Sequence, residues 1–318
     1  MNIVILDAFA ENPGDLSWEF LNAYGDVTIY DRTPNEQIYK RAKDAELLIL
    51  NKTPLRREMI AKLPKLQFVA LLSTGYNIVD GDALRERGIS VCNIPSYSTN
   101  AVAQITFAFI LSFSNAIALH SNAVHAGEWC SSPDFCFTKA PLFELSGKTL
   151  GIVGFGKIGQ RVADLAEAFG MRILAHSGHE TDQSSRKNFK WASLDEIAKE
   201  SDFISFHCPL NKHTEGLVNA EFLKKCKKAA YLINTSRGPV IDEQALADAL
   251  NQGALAGAGL DVLCVEPADK NNPLLTAKNC LITPHIAWAG FETRARLMDI
   301  LKENLKAYFD GKPQNVVN

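Results

Sequence analysis

Residues 151–159 read GIVGFGKIG. The glycines at 154, 156 and 159 constrain this chain more than any other stretch. An apolar run, Leu150–Val153, precedes them. An amphipathic run follows, with Val162, Leu165, Ala166 and Phe169 on one face and Gly170 as its stop. That order predicts strand, tight turn and helix. Gly154 permits the turn, Gly156 lets the backbone approach a pyrophosphate, and Gly159 lets helix and strand pack closely. The helix N-terminus then offers unsatisfied N–H groups and the positive end of its dipole to phosphates. A glycine-rich turn without a ligand is the bland alternative, and the strand–helix context argues against it.

The rest of the chain has the rhythm such a turn requires. Short apolar runs at Ile3–Leu6, Val27–Tyr30, Leu47–Leu50, Phe68–Leu72 and Ser90–Ile94 alternate with helix-like stretches such as Asp80–Arg87, closed by Gly88. A second series follows at Leu150–Gly154, Arg172–Ala175, Phe203–His207, Tyr231–Asn234, Gly257–Val262 and Cys280–Ile282. Continuous apolar strands alternating with helices predict parallel sheets covered on both faces. A long helix is expected over Thr99–Ala118, an irregular segment over 127–149, and a last helix over Gly290–Phe309 stopped by Gly311. The irregular segment, with its aromatics Trp129, Phe135, Phe137 and Phe143, is expected either to meet a second subunit or rim the site, or to be a plain surface excursion.

Composition narrows the class. A length of 318 residues suits two domains. A net charge of −3 gives no basic excess, so nucleic acid is not an expected partner. Seven cysteines show neither CxxC nor zinc spacing. Reduced thiols in a cytoplasmic protein, with no metal site, are the expectation. The N-terminal MNIVILDAF reads as a strand rather than a leader. The apolar stretch Ala101–Leu119 is interrupted by Gln104, Thr106, Ser112, Ser114 and Asn115, which favours a buried helix over a membrane span.

The strand after the glycine turn ends Ala175-His176-Ser177. NAD sites usually place Asp or Glu there to hold the ribose hydroxyls. Ser177 leaves the choice between NAD and NADP open, with NAD ahead. Arg186 and Lys187 follow in sequence.

Three polar residues come later, each placed at the end of an expected strand: Arg237 in NTSRGP, Glu266 in LDVLCVEP and His285 in TPHIAW. Open parallel sheets bind ligands beyond the carboxyl ends of their strands, so the three can converge. Reducing a 2-keto acid requires a hydride for the carbonyl carbon and a proton for its oxygen. Histidine titrates in the right range for the proton. A neighbouring carboxylate favours the imidazolium and fixes the ring. Arginine's planar fork suits a substrate carboxylate. Singly, each residue has an ordinary structural reading: a capping histidine, an exposed acid before Pro267, a structural salt bridge. As a set behind the glycine turn they read as chemistry.

The runs GIVGFGKIG, INTSRGPVIDEQAL, GLDVLCVEP and ITPHIAW, with the earlier LLSTGYNIVD and VCNIPSYSTNAVAQ, resemble in order the motifs of the D-isomer-specific 2-hydroxyacid dehydrogenases. Ser177 is the departure, since most members carry Asp. The resemblance implies an α/β fold of two Rossmann-like parallel-sheet domains with an interdomain active-site cleft. Residues 1–98 plus 288–318 would bind substrate, and 99–287 would bind the dinucleotide. It implies Arg237 for substrate binding and polarisation, His285 as acid/base and Glu266 as its partner. The backbone of Ser73, Thr74 and Gly75 would hold the substrate carboxylate. Cofactor contacts would come from Gly154, Gly156, Lys157, Ile158, Gly159, Ser177, His207, Cys208, Pro209, Thr214, Thr235, Asp261, His285 and Ala287. Members are usually dimers joined through the cofactor domain, so a homodimer is expected. Within the family the chain is most similar to glycerate dehydrogenases, also called hydroxypyruvate reductases. The other class kept open is a nucleotide-dependent, corepressor-like binding module of the same fold.

Overall fold

The computed structural model describes residues 1–318 and divides into two compact units, Met1–Ser98 with Ala289–Asn318, and Thr99–Trp288. Each is built on a wholly parallel sheet.

The first unit contains β1 (Asn2–Ile5), β2 (Asp26–Ile29), α1 (Ile38–Ala42), β3 (Leu47–Leu50), α2 (Arg57–Ile60), β4 (Phe68–Leu71), α3 (Gly81–Glu86) and β5 (Ser90–Cys92). Its strand order is β2-β1-β3-β4-β5. Asp80 caps α3 by accepting from the Ala83 N–H at 2.8 Å, and Gly88 leaves the helix at φ 69°. Alternate strand residues, among them Val4, Leu48, Leu50, Val69 and Leu71, join Ile38, Ile60 and Leu84 in one apolar core. The C-terminal helix (Phe291–Phe309) belongs to this unit. It buries Leu297, Leu301 and Leu305 completely, and its Tyr308 stacks on Phe68 at 4.1 Å. Gly290 is its N-cap, and Phe309, its last residue, is 40% exposed and stacks on Tyr24.

The second unit runs α4 (Thr99–Asn115), α5 (Ile117–His125), β6 (Thr149–Val153), α6 (Lys157–Ala168), β7 (Arg172–His176), β8 (Phe189–Trp191), α7 (Leu194–Glu200), β9 (Phe203–Phe206), α8 (Ala220–Lys225), β10 (Tyr231–Asn234), α9 (Glu243–Asn251), β11 (Gly257–Leu260) and β12 (Cys280–Ile282). The C-terminal helix above is therefore α10. Strand order is β12-β11-β10-β9-β6-β7-β8. The chain leaves β6 in one direction and returns to β9 on its other side, so the order reverses between them. Neighbouring residues along a strand enter different cores. Val153, Ile204 and Leu232 face α7, α8 and α9, while Ile152, Phe203 and Ile233 face α4 and α6. Against α4, β11 has no side chains to spare. A Cβ at Gly259 would lie 2.7 Å from the Phe109 ring, and one at Gly257 3.0 Å from Phe113.

Several expectations need correction. The helix expected over Thr99–Ala118 breaks at Ala116, which sits left-handed at φ 44°, and restarts at a 55° bend as α5. The side chains of Ser112, Ser114 and Asn115 bond back to carbonyls of the preceding turn and loosen the helix end. No single helix is long and apolar enough to cross a membrane. Phe169, expected on the buried face of α6, lies past its end and is 41% exposed, stacked on Phe107. β8 was not foreseen. Its residues Phe189 and Trp191 are half-buried around Phe155, and a three-residue edge strand leaves almost no periodicity to read.

One buried group ties stability to pH. Glu11, on the loop after β1, is wholly buried and neither carboxyl oxygen has a hydrogen-bond partner. Burial, helped by repulsion from Asp7, pushes it up to about 9, and Lys52 pulls the other way more weakly. The folded chain thus keeps a proton that an unfolded carboxyl, ordinarily near 4.5, releases. Stability is full below the unfolded value, declines as pH rises, and levels off once the folded group ionises near 9. Glu11→Gln is expected to flatten this decline. Thermal melts of both chains from pH 5 to 9 read it, and parallel curves would remove Glu11 as the cause.

Candidate active site

The glycine turn fits a dinucleotide on its own geometry. Gly154 has φ 95° and lies so close to the segment after β9 that an added Cβ would be 2.5 Å from the Cys208 nitrogen. A Cβ at Gly159 would fall 2.2 Å from the Gly154 carbonyl, so α6 begins directly on the strand. At Gly156, the N-cap of α6, a Cβ would meet nothing within 4 Å. The backbone N–H groups at the start of α6 thus border open space where strand order reverses, the place where a pyrophosphate is expected. Lys157 and Ile158 form the first turn of α6.

Ser177 follows β7 and is half-buried, its hydroxyl accepting from the His179 N–H at 3.3 Å. Arg186, whose placement the sequence left open, is not free to read a phosphate there. Its guanidinium bridges Asp164 at 2.5 Å and Glu167 at 2.6 Å on α6, and is 12% exposed. At the end of β9, the Ser205 hydroxyl lies 2.8 Å from Nε2 of His207, the residue that follows the strand. The other ring nitrogen is 3.5 Å from the Thr235 hydroxyl, itself 3.4 Å from Thr106. Desolvation pushes His207 down to about 3, so its ring is neutral. Cys208 is buried, and Pro209 is fastened to Thr214, whose hydroxyl donates to the Pro209 carbonyl at 2.7 Å.

The three residues singled out for chemistry sit in the loops beyond β10, β11 and β12, past the strand ends rather than at them. His285 Nδ1 lies 2.7 Å from Glu266 Oε2, with the side chains 26% and 36% exposed. Glu266 Oε1 also accepts from the Leu263 N–H at 3.2 Å. Arg237 is exposed, with one N–H donated to the Ser236 carbonyl at 2.7 Å.

The turn that carries His285 is built around Asp261. His285 has φ 54°, a backbone conformation uncommon for a side-chain-bearing residue. The Asp261 carboxylate, 1% exposed, accepts from Thr283 Oγ1 at 2.6 Å, Ile286 N at 2.9 Å and Ala287 N at 2.8 Å. The Asp261 carbonyl accepts from His285 N at 2.8 Å. Burial pushes this carboxyl up, and the three hydrogen bonds oppose it. The Arg237 and Glu266 loops are also fitted to one another: a Cβ on Gly238 would sit 2.0 Å from the Leu263 carbonyl carbon.

In the first unit, Ser73, Thr74 and Gly75 follow β4. The Ser73 hydroxyl donates to the Gly75 carbonyl at 2.6 Å and the Thr74 hydroxyl to the Ile94 carbonyl at 2.8 Å. Both hydroxyls are thus engaged within the first unit.

Sequence reasoning passed over Gly238 and Glu243. Both lie inside the INTSRGPVIDEQAL run. Glu243 follows the N-cap Asp242 and reads there as an ordinary acidic first-turn residue.

A family model described as D-isomer specific 2-hydroxyacid dehydrogenase, NAD binding domain, matches residues 107–287. A hydroxypyruvate reductase of Blautia hydrogenotrophica is 47% identical over 321 residues, covering 100% of both chains. A glycerate dehydrogenase of Methylorubrum extorquens is 39% identical, covering 89% of this chain and 88% of its own. An acyclic imino acid reductase solved in complex with NADPH and D-Arg superposes with a TM-score of 0.85 at 34% identity, covering 100% of each chain.

Proposed function

The chain belongs to the D-isomer-specific 2-hydroxyacid dehydrogenase family, and on that premise we propose that it interconverts a small 2-keto acid, such as hydroxypyruvate or glyoxylate, with its D-2-hydroxy acid. The observation that carries the reading is the 2.7 Å contact between His285 and Glu266, in a unit whose glycine turn suits a nicotinamide dinucleotide. When bound, that dinucleotide supplies the hydride for the carbonyl carbon.

The remaining work falls to side chains. With Nδ1 engaged by Glu266, His285 has Nε2 left to give the carbonyl oxygen its proton and to take it back in the oxidative direction. Glu266 fixes the ring through this contact. Arg237 has guanidinium N–H groups beyond the one donated to Ser236, and they pair with the substrate carboxylate and polarise its carbonyl. The backbone of Ser73, Thr74 and Gly75 is assigned to the same carboxylate, which makes the unit of Met1–Ser98 and Ala289–Asn318 the substrate-binding one. The unit of Thr99–Trp288 is then the dinucleotide-binding one, with contacts from the glycine turn, Ser177, the 207–214 segment, Thr235, Asp261 and Ala287. Relatives named hydroxypyruvate reductase and glycerate dehydrogenase support the choice of substrate. Seven unpaired thiols suit the cytoplasm.

Ser177 bears no charge to repel a 2′-phosphate, which leaves NADP acceptable. The engagement of Arg186 by Asp164 and Glu167 occupies one of the cations that follow Ser177 in sequence. NAD is therefore proposed as the preferred form. The chain is also proposed to dimerise through the second unit. Ile117 at 69%, Trp129 at 52%, Phe135 at 89% and Leu142 at 50% exposure cluster along α5 and the segment after it.

Loss of NADH absorbance with hydroxypyruvate, glyoxylate and pyruvate tests the activity. His285→Ala is expected to lower kcat by at least about 10²-fold while NADH still binds. A chain that binds NADH but turns over no 2-keto acid would instead be a binding module. Ser177→Asp is expected to raise the ratio of kcat/KM for NADH over NADPH, and an unchanged ratio would show that Ser177 does not read the ribose. Sedimentation at micromolar concentration is expected to give a dimer mass, and a monomer mass would overturn the assignment of the 117–142 surface.

A further inference from the structure

Glu266 rides on an exposed loop. The chain is buried through Leu263, exposed from Cys264 to Asn271, and buried again at Asn272. Excursions of this kind have few apolar contacts and open easily. What closes this one is a carboxylate from another element. Glu243, the first residue of α9, accepts from the Cys264 N–H through Oε1 at 2.8 Å and from the Asn272 side-chain amide through Oε2 at 2.9 Å. Asn272 is fixed in turn, its Oδ1 accepting from the Leu274 N–H at 2.9 Å. One half-buried carboxylate therefore holds both ends of the loop that carries Glu266.

We propose that Glu243 is a positioning residue for the acid–base pair: by tying Cys264 to Asn272 it holds the Glu266 carboxylate against His285. The proposal rests on the reading of Glu266 and His285 given above. Two observations confine its effect to Glu266. The turn bearing His285 is held separately, by Asp261. The residue before the loop, Leu263, is already fixed by its close approach to Gly238. Asp261 also lies within electrostatic reach of His285, and nothing done at Glu243 removes it.

The test is the pH dependence of kcat/KM for keto-acid reduction. Reduction needs the imidazolium, so activity falls on the alkaline side, and that limb reports how strongly the charged ring is favoured. Glu266→Gln is expected to move the limb toward acid by roughly one pH unit. Glu243→Ala is expected to move it the same way by about half a unit and to lower kcat about tenfold. NADH binding, read by fluorescence, should not change. Glu243→Asp, whose carboxylate stops one methylene short, should behave like the alanine variant and serves in its place if that chain does not fold. Glu243→Gln keeps an acceptor for the Cys264 N–H but turns an amide donor toward the donating Asn272 amide, so it loses that end of the tie and should fall between the native chain and Glu243→Ala. The decisive arm is the double variant: Glu243→Ala added to Glu266→Gln should produce no further shift. A limb unmoved by Glu243→Ala, or a full additive shift in the double variant, overturns the positioning role and leaves the pair intact. A limb that Glu266→Gln itself does not move overturns the pair, and the positioning role with it.

Discussion

A single buried carboxylate sets the geometry on which the proposed chemistry depends. Asp261 follows directly on a strand whose every residue is buried and spends both its oxygens on the turn that follows β12. Without those acceptors, the Ile286 and Ala287 N–H groups would have no partner in this turn, and His285 would have no reason to keep a left-handed backbone. The parallel sheet brings β11 and β12 side by side in register, Leu260 opposite Ile282. The carboxylate then converts that register into a fixed direction for one imidazole. Preorganisation here comes from backbone donors on a buried anion rather than from packing around the ring.

The loops that carry the other two residues are joined by different means. Contact without a side chain, at Gly238, sets how closely the Arg237 loop meets Leu263. A bridging carboxylate, Glu243, closes the loop beyond it. Each device works over a few ångströms and needs a residue that does not itself touch a reacting atom. The site is consequently larger than its three polar side chains, and most of the enlargement lies in the stretch from 234 to 243.

How much of this was legible follows from range. GIVGFGKIG could be read as strand, turn and helix because its causes are local: a strand, a positive-φ glycine and a helix start within nine residues. The central strands were legible for a related reason, since burial on both faces leaves an unbroken apolar run, as in Leu47–Leu50 and Phe203–Phe206. Arg237, Glu266 and His285 were legible as types in a sequence, and the contact between the last two lay within reach of that reading. The break at Ala116 was not, because alanine favours helix and the causes are side chains bonding back along the same turn. Neither was the bridge made by Glu243, since nothing local distinguishes an acid that caps its own helix from one that reaches a loop 21 positions on. Arg186 shows the same limit in reverse: near the ribose position in sequence, it is spent on α6.

The seam between β11 and α4 is defined by atoms that are missing. Phe109 and Phe113 fill the hollows left by Gly259 and Gly257, and the clearance there has no slack for even a methyl group. A gap of that sort cannot be tuned by degrees. Bulk added to the strand must be withdrawn from the helix in the same step, and a smaller ring on the helix leaves a void that no glycine can fill. Strand and helix are thus bound as a pair in how they can vary.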